Sequence, residues 1–184
     1  QPLKLLSSFP SPPDPTVMIP TLTEGQQATL TCTAPGLCSG SNLTDVTQSP
    51  VSTLTFNPSA KHHNTNVTCK ISFTGETITE ETSTLNVNYL RQPLIIGNTT
   101  VKEGDVLNLT CSVESIPPAL IVWKKPISNT NLHIGTYTDL HNNTGSATLV
   151  IQNVTAEDSG QYICTAKHLD TTLTLYVDVT VTCK

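Results

Sequence analysis

The chain contains one segment twice, and a second cysteine follows each copy. Residues 101–111 (Val-Lys-Glu-Gly-Asp-Val-Leu-Asn-Leu-Thr-Cys) repeat residues 22–32 (Leu-Thr-Glu-Gly-Gln-Gln-Ala-Thr-Leu-Thr-Cys) almost position for position. Each copy has a Glu-Gly turn and an alternating strand that ends at a cysteine, and a later strand ends at Cys69 or Cys164. A repeat with a spacing of about 80 residues predicts two tandem domains of the same kind.

The composition favours strands, and it argues against a nucleic-acid partner and against a membrane-spanning segment within this chain. Thr, Ser and Asn dominate the polar positions, and these residues favour strands and turns over helices. The net charge of −5 and the single arginine, Arg91, argue against a nucleic-acid partner, because neutralising phosphates requires clustered Lys and Arg. The chain has no run of about 20 apolar residues, so we expect any membrane anchor to lie outside it.

Cysteines and glycosylation sequons predict an oxidising compartment. There is no Cys-x-x-Cys pair and no cysteine near a suitably spaced histidine pair, so we expect neither a metal site nor a cofactor. Six Asn-x-Ser/Thr sequons in 184 residues are typical of a secreted or cell-surface protein, in which disulfides persist. The six cysteines are Cys32, Cys38, Cys69, Cys111, Cys164 and Cys183, and the six sequons begin at Asn42, Asn66, Asn98, Asn108, Asn142 and Asn153.

The second copy carries the more specific motif. Trp123 follows Cys111 by 12 positions, and Asp158-Ser159-Gly160-Gln161-Tyr162-Ile163 leads directly into Cys164. This pattern resembles the immunoglobulin superfamily, whose domains join two sheets through a buried disulfide that packs on a tryptophan. The resemblance implies a disulfide between Cys111 and Cys164 and a tyrosine corner at Tyr162.

The first copy departs from this pattern. It has no tryptophan, valine stands at position 67 where the corner tyrosine is expected, and its cysteines are 37 residues apart instead of 53. The resemblance still implies a Cys32–Cys69 disulfide. The shortfall of about 16 residues falls between Cys38 and Val51, where a central strand belongs. We therefore predict that residues are missing near 39–42, in which case the join itself created the Asn42 sequon.

A further motif in the first copy resembles one family of immunoglobulin-like receptors. Cys32-Thr-Ala-Pro-Gly-Leu-Cys38 and the stretch His63-Asn-Thr-Asn-Val-Thr-Cys69-Lys-Ile-Ser-Phe73 are similar to the second, C2-set domain of the sialic-acid-binding immunoglobulin-like lectins, the Siglecs. The resemblance implies that Cys38 bonds to a preceding V-set domain and that the second copy corresponds to domain three. It also implies that the arginine that binds sialic acid lies in that V-set domain, which this chain lacks.

These observations predict an all-β chain of two tandem immunoglobulin-like β-sandwiches. Residues 1–15 are Pro-rich and form a linker or remnant, residues 16–89 a C2-set domain, residues 90–92 a linker that holds Arg91, and residues 93–182 a C2/I-type domain.

Several assignments stay open for each of the two remaining cysteines. Cys38 is either the interdomain cysteine, a free thiol, or the partner of Cys183. Cys183 follows the last predicted strand and belongs to a following domain, to a tail or to an intermolecular bond. The adjacent His62 and His63 are interpreted as a solvated loop rather than a metal or acid–base site. We find no family-like grouping of Ser, His and acid, and therefore expect no catalytic residues and no enzymatic activity.

The sequence thus predicts glycosylated spacer domains of a Siglec-like cell-surface receptor for adhesion. Sialylated glycoconjugates would be recognised through a domain not in this chain, and the sequence identifies no ligand-binding residue within it. The alternative hypothesis is an immunoglobulin-superfamily receptor that binds a protein partner directly through these two domains.

Overall fold

The computed structural model describes residues 14–34, 50–72, 78–125, 137–139 and 145–183 of the 184-residue chain. These residues form short strands joined by turns and two single-turn 3₁₀ helices, which confirms the predicted all-β immunoglobulin-like fold. The chain divides into two compact units, Gln1–Asn88 and Tyr89–Lys184.

The first unit contains two small antiparallel sheets. In β3, small or apolar residues alternate with threonines, so that Ala28 and Leu30 are buried on one face. β3 lies between β1 and β4, while β5 pairs with β6 along its whole length. β2 pairs in parallel with the first two residues of β7. The strands are β1 Thr16–Met18, β2 Leu22–Thr23, β3 Ala28–Thr33, β4 Val51–Phe56, β5 Asn66–Ser72, β6 Ile78–Thr84 and β7 Val87–Leu90.

The core of the first unit is small. Phe56 of β4 and Val67 of β5 are partly buried against it, and Ile19 adds a third partly buried contact. The buried members of this core are Leu22, Ala28, Leu30, Leu85 and Val87.

The second unit is a two-layer sandwich with four strands in each sheet. One sheet has the strand order β13-β14-β10-β8 and the other β12-β15-β16-β9. The last residues of β7, Tyr89 and Leu90, pair with β11 within this unit. The strands are β8 Leu94–Gly97, β9 Thr100–Lys102, β10 Leu107–Ser112, β11 Ser115–Ile116, β12 Leu120–Lys124, β13 Tyr137–Asp139, β14 Ser146–Ile151, β15 Gly160–His168 and β16 Thr171–Thr182.

The inner faces of these two sheets form a large, continuous core. Leu149 and Ile151 of β14 lie opposite Leu109 and Leu107 of β10 and are buried, because directly opposed residues of an antiparallel pair share one face. The other buried members are Val101, Cys111, Val113, Ala119, Ile121, Trp123, Ala147, Val154, Tyr162, Cys164, Ala166 and Val179.

The two units differ at one flank. In the second unit β15 lies between β12 and β16. In the first unit β5 pairs with β6, and no other described residue pairs with it. We predict that residues are missing near positions 39–42. These positions lie outside the described part of the chain.

Candidate functional site

A disulfide joins the two sheets of the second unit. Cys111 of β10 and Cys164 of β15 are both buried, and their Cα atoms are 6.5 Å apart. Trp123 of β12 lies directly opposite Cys164, and its indole N–H donates a hydrogen bond to the carbonyl oxygen of Ala147 at 3.0 Å. The disulfide and the tryptophan thus connect four strands, β10, β12, β14 and β15, at the centre of the core.

Tyr162 forms a tyrosine corner beside this disulfide. Its hydroxyl donates to the carbonyl oxygen of Asp158 at 2.9 Å. Burial, and secondarily the negative charge of Asp158, raise the pKa of Tyr162 from 10.0 to about 12. The ammonium group of Lys125 lies 5.1 Å from the centre of the Tyr162 ring and donates to the carbonyl oxygen of Glu157. These contacts fix the 3₁₀ helix Ala156–Asp158 against β15.

The first unit contains the corresponding disulfide in a different setting. Cys32 of β3 and Cys69 of β5 are joined, with their Cα atoms 6.1 Å apart. Val67, at the position of the corner tyrosine, is partly buried against the small core. The disulfide therefore connects the two sheets of this unit without a tryptophan or a tyrosine corner.

His62 has a role that the sequence interpretation missed. Its Nδ1 accepts a hydrogen bond at 3.0 Å from the main-chain N–H of Ser59 and lies 3.3 Å from the Ser59 hydroxyl. In the second unit, Asp158 accepts the corresponding bond from the main-chain N–H of Thr155 at 2.8 Å. In both 3₁₀ helices the side chain of the third residue therefore accepts a hydrogen bond from the main-chain N–H of the N-cap residue, with a histidine in one unit and an aspartate in the other. Aligning the two copies of the repeat through this loop would have revealed this contact.

His63 also binds the main chain. Its Nδ1 accepts from the N–H of Val87 at 3.2 Å. Both neighbouring histidines are partly buried, so the predicted solvated loop is wrong: each imidazole satisfies a backbone donor. Within the described residues no group of His, Cys, Asp or Glu is arranged to hold a metal ion.

The remaining cysteines are Cys38 and Cys183. Cys183 is exposed and carries no disulfide to any described residue. Cys38 lies outside the described residues.

Four of the predicted sequons lie in the described residues, and all four asparagines are exposed. Asn66 and Asn108 are on the outer faces of β5 and β10, and Asn98 and Asn153 lie in turns. The Asn66 side-chain oxygen accepts a hydrogen bond from the Thr84 hydroxyl. Asn42 and Asn142 are outside the described residues.

Arg91 lies in the second unit, directly after β7. Its main-chain N–H donates to the carbonyl oxygen of Glu114 at 2.9 Å, and its guanidinium carbon is 5.5 Å from the centre of the Tyr89 ring. The Tyr89 hydroxyl in turn lies 3.4 Å from a carboxylate oxygen of Glu114. The guanidinium is therefore stacked on an aromatic ring of its own unit.

A family model matches the second unit: the immunoglobulin I-set domain, over residues 90–181. Curated relatives extend the similarity to both units. Human sialic acid-binding Ig-like lectin 6 is 30% identical over 205 residues, covering 89% of this chain and 42% of the relative. Mouse sialic acid-binding Ig-like lectin 5 is 28% identical over 177 residues, covering 80% of this chain and 29% of the relative. The two units are therefore Siglec-like immunoglobulin domains, and the chain spans less than half the length of these relatives.

The alignment with the human lectin is longer than the 184-residue chain itself, although it covers only 89% of it. About 40 positions of the relative therefore have no counterpart here.

Among solved structures, the full ectodomain of mouse nectin-like molecule 4 aligns with a TM-score of 0.65 and 23% identity, covering 94% of this chain and 65% of that one. This likeness shows the fold. Among the described residues, no helix is long and apolar enough to cross a membrane.

Proposed function

The chain belongs to the immunoglobulin family, and we propose that its two units are extracellular spacer domains of a Siglec-like cell-surface receptor for adhesion. The observation that carries this proposal is the similarity to sialic acid-binding Ig-like lectins, which extends over 89% of the chain and hence over both units. Sialylated glycans would then be bound by an N-terminal V-set domain outside this chain, and a membrane anchor would also lie outside it.

The described contacts support a mechanical role. In each unit a disulfide connects the two sheets, and such a bond adds on the order of 2 to 5 kcal/mol to stability by constraining the unfolded chain. A unit that resists unfolding holds a binding domain at a fixed distance from a membrane. Glycans on Asn66 and Asn108 would cover outer sheet faces and oppose edge-to-edge association.

The position of Arg91 supports placing the sugar site elsewhere. A sialic acid carboxylate requires a guanidinium that is free to form two parallel hydrogen bonds. Arg91 is the only arginine of the chain, and its guanidinium lies over the Tyr89 ring.

We propose that Cys38 bonds to the V-set domain and that domain boundaries follow the predicted ranges 16–89 and 93–182.

Cell binding before and after sialidase treatment tests this assignment. The purified chain is immobilised, and a Siglec that carries its V-set domain serves as the positive control. We expect sialidase-sensitive binding by the control and none by this chain. Sialidase-sensitive binding by this chain would place a sugar site within the two units and overturn the spacer assignment.

A second candidate function is direct binding of a protein partner. The outer face of the sheet formed by β12, β15 and β16 exposes Leu120 and Tyr176, the latter with 58% of its surface accessible. The described sequons of this unit lie on the other sheet or in turns, so glycans there would leave this face uncovered. Two results together would favour this function. Binding would survive sialidase treatment of the target cells, and it would be lost in the double variant Leu120→Ser/Tyr176→Ser or in a variant of the predicted linker that holds Arg91.

A further inference from the structure

We propose that an N-glycan on Asn108 packs its first sugar, an N-acetylglucosamine, on the apolar side chains of Ile96 and Val150. The contact lies on the outer face of the sheet β13-β14-β10-β8 of the second unit. The glycan is then part of the packed structure and stabilises the unit. This inference rests on the proposed extracellular role, because Asn-x-Ser/Thr acceptors are glycosylated in secreted chains.

Asn108 shares its face of the sheet with exposed apolar side chains of β8. Ile96 lies opposite Thr110, and Leu94 is two residues before Ile96, so both face the same side. They have 60% and 57% of their surfaces exposed, whereas Ile95 between them is partly buried against the core. Asn108 is two residues before Thr110 and is exposed, so it also lies on this outer face.

A second strand supplies an apolar neighbour on the other side. Val150 of β14 lies directly opposite Asn108 and is only partly buried. Directly opposed Cβ atoms are about 5 Å apart, and diagonal ones, as for Asn108 and Ile96, are about 7 Å apart. β10 lies between β8 and β14, and all three strands are described along their whole length. The sequon asparagine is therefore flanked by apolar side chains on both neighbouring strands.

The chemistry of the sugar matches this surface. The first sugar is bonded directly to the side-chain amide nitrogen of the asparagine, so it lies over the side chains that flank Asn108. N-acetylglucosamine presents ring C–H groups on one face and the methyl group of its acetamide. Removing these groups and the side chains of Ile96 and Val150 from water together is favourable. A glycan joined to the middle of this surface also leaves no room for a protein partner there.

The other sequon on a described strand has a polar setting. Asn66 of β5 lies opposite Thr84, whose hydroxyl donates a hydrogen bond to the Asn66 side-chain oxygen. Its diagonal neighbour on β6 is Thr82. A glycan on Asn66 would therefore meet threonines on its paired strand, so apolar support distinguishes Asn108 from Asn66.

The test uses the full chain secreted from cells that attach only high-mannose glycans, with thermal unfolding followed by Trp123 fluorescence. Endoglycosidase H trims every glycan to its first sugar, and Asn108→Gln removes one glycan completely. Thr100→Ala is the matched control, because it removes the Asn98 sequon of the same unit but keeps that asparagine. Ile96→Thr removes an apolar contact and is combined with Asn108→Gln. Peptide mass spectrometry measures the occupancy of each sequon.

We expect trimming by endoglycosidase H to leave the unfolding midpoint unchanged. Asn108→Gln should lower the midpoint by about 4 to 8 °C, the shift that the loss of one contact of ordinary strength produces in a domain of this size. Thr100→Ala should leave it unchanged. In the Ile96→Thr background, removing the Asn108 glycan should lower the midpoint less than half as far, because part of the contact is already lost.

Four results would overturn this inference: an unoccupied Asn108, no fall in Asn108→Gln, an equal fall with and without Ile96→Thr, or a trimmed chain as unstable as Asn108→Gln. If Asn108 alone is unoccupied, only this inference fails. If no sequon is occupied, the proposed extracellular role fails with it. Ile96 is largely exposed, so Ile96→Thr should fold, and an unchanged circular dichroism spectrum verifies this.

Discussion

At the scale of the residue, Tyr162 ties β15 to the loop that precedes it. Replacing Tyr162 by phenylalanine removes the hydrogen bond to the Asp158 carbonyl and leaves that oxygen without its partner, so we expect a loss of about 1–2 kcal/mol in the unfolding free energy. Urea unfolding monitored by Trp123, the single tryptophan, reports on the second unit. Tyr176→Phe, at an exposed tyrosine, should be neutral. An equal loss in both variants would contradict this role.

The same hydroxyl predicts a dependence of stability on alkaline pH. Because the folded pKa of Tyr162 is raised from 10.0 to about 12, its contribution to stability is complete below pH 10. Between pH 10 and 12 the unfolded tyrosine ionises first, and the unfolding free energy should fall by on the order of 2 kcal/mol. The difference between the chain and Tyr162→Phe, measured in urea across this range, isolates the effect. A difference that does not change with pH would refute it.

Side chains that belong to the cysteine motif were predictable, and the histidine outside it was not. Trp123 and Tyr162 have fixed offsets from Cys111 and Cys164, so their sequence spacing predicted their places in the core. His62 lies outside this motif. Its role becomes visible only when the loop Ser59–His62 is aligned with the loop Thr155–Asp158, where Asp158 accepts the corresponding bond.

At the scale of the element, the short strand β8 depends on Gly97. A Cβ atom at this position would lie 2.3 Å from the carbonyl oxygen of Asn108, and the φ of +145° is one that other residues rarely adopt. We expect Gly97→Ala to destabilise the second unit by more than about 2 kcal/mol, in thermal unfolding followed by Trp123 fluorescence.

Gly145→Ala is the matched control for Gly97→Ala. Its φ is also positive, at +83°, but the nearest atom to an added Cβ is 3.8 Å away. We expect a smaller loss, of about 1 kcal/mol. Equal losses would show that backbone conformation alone, rather than the close approach to β10, explains the glycine.

Strands with an alternating pattern were predicted, and very short strands were not. Ala28–Thr33 alternates along its length, and this pattern predicted the strand β3, in which Leu30 is buried. β2 and β11 have two residues each, which is too short for a periodic pattern, and they exist only because β7 supplies a partner. Pairing between distant segments is what the local sequence could not show.

At the scale of the whole molecule, the disulfides set the stability of each unit. Replacing Cys111 and Cys164 together by alanine should lower the unfolding free energy of the second unit by about 2 to 5 kcal/mol. Urea unfolding followed by Trp123 fluorescence measures this loss. Cys183→Ser, at an exposed cysteine with no described disulfide, is the control and should be neutral. A neutral double variant would show that the sheets hold together without the bond.

We propose that the chain is a disulfide-linked, glycosylated extracellular spacer. The measurement that tests it most directly is a nonreducing peptide map of the chain secreted from animal cells, after enzymatic deglycosylation in ¹⁸O water. We predict linked peptides for Cys32–Cys69 and Cys111–Cys164, and ¹⁸O-labelled aspartate at the exposed sequons Asn66, Asn98, Asn108 and Asn153. Free thiols at these cysteines together with unlabelled asparagines would contradict the claim.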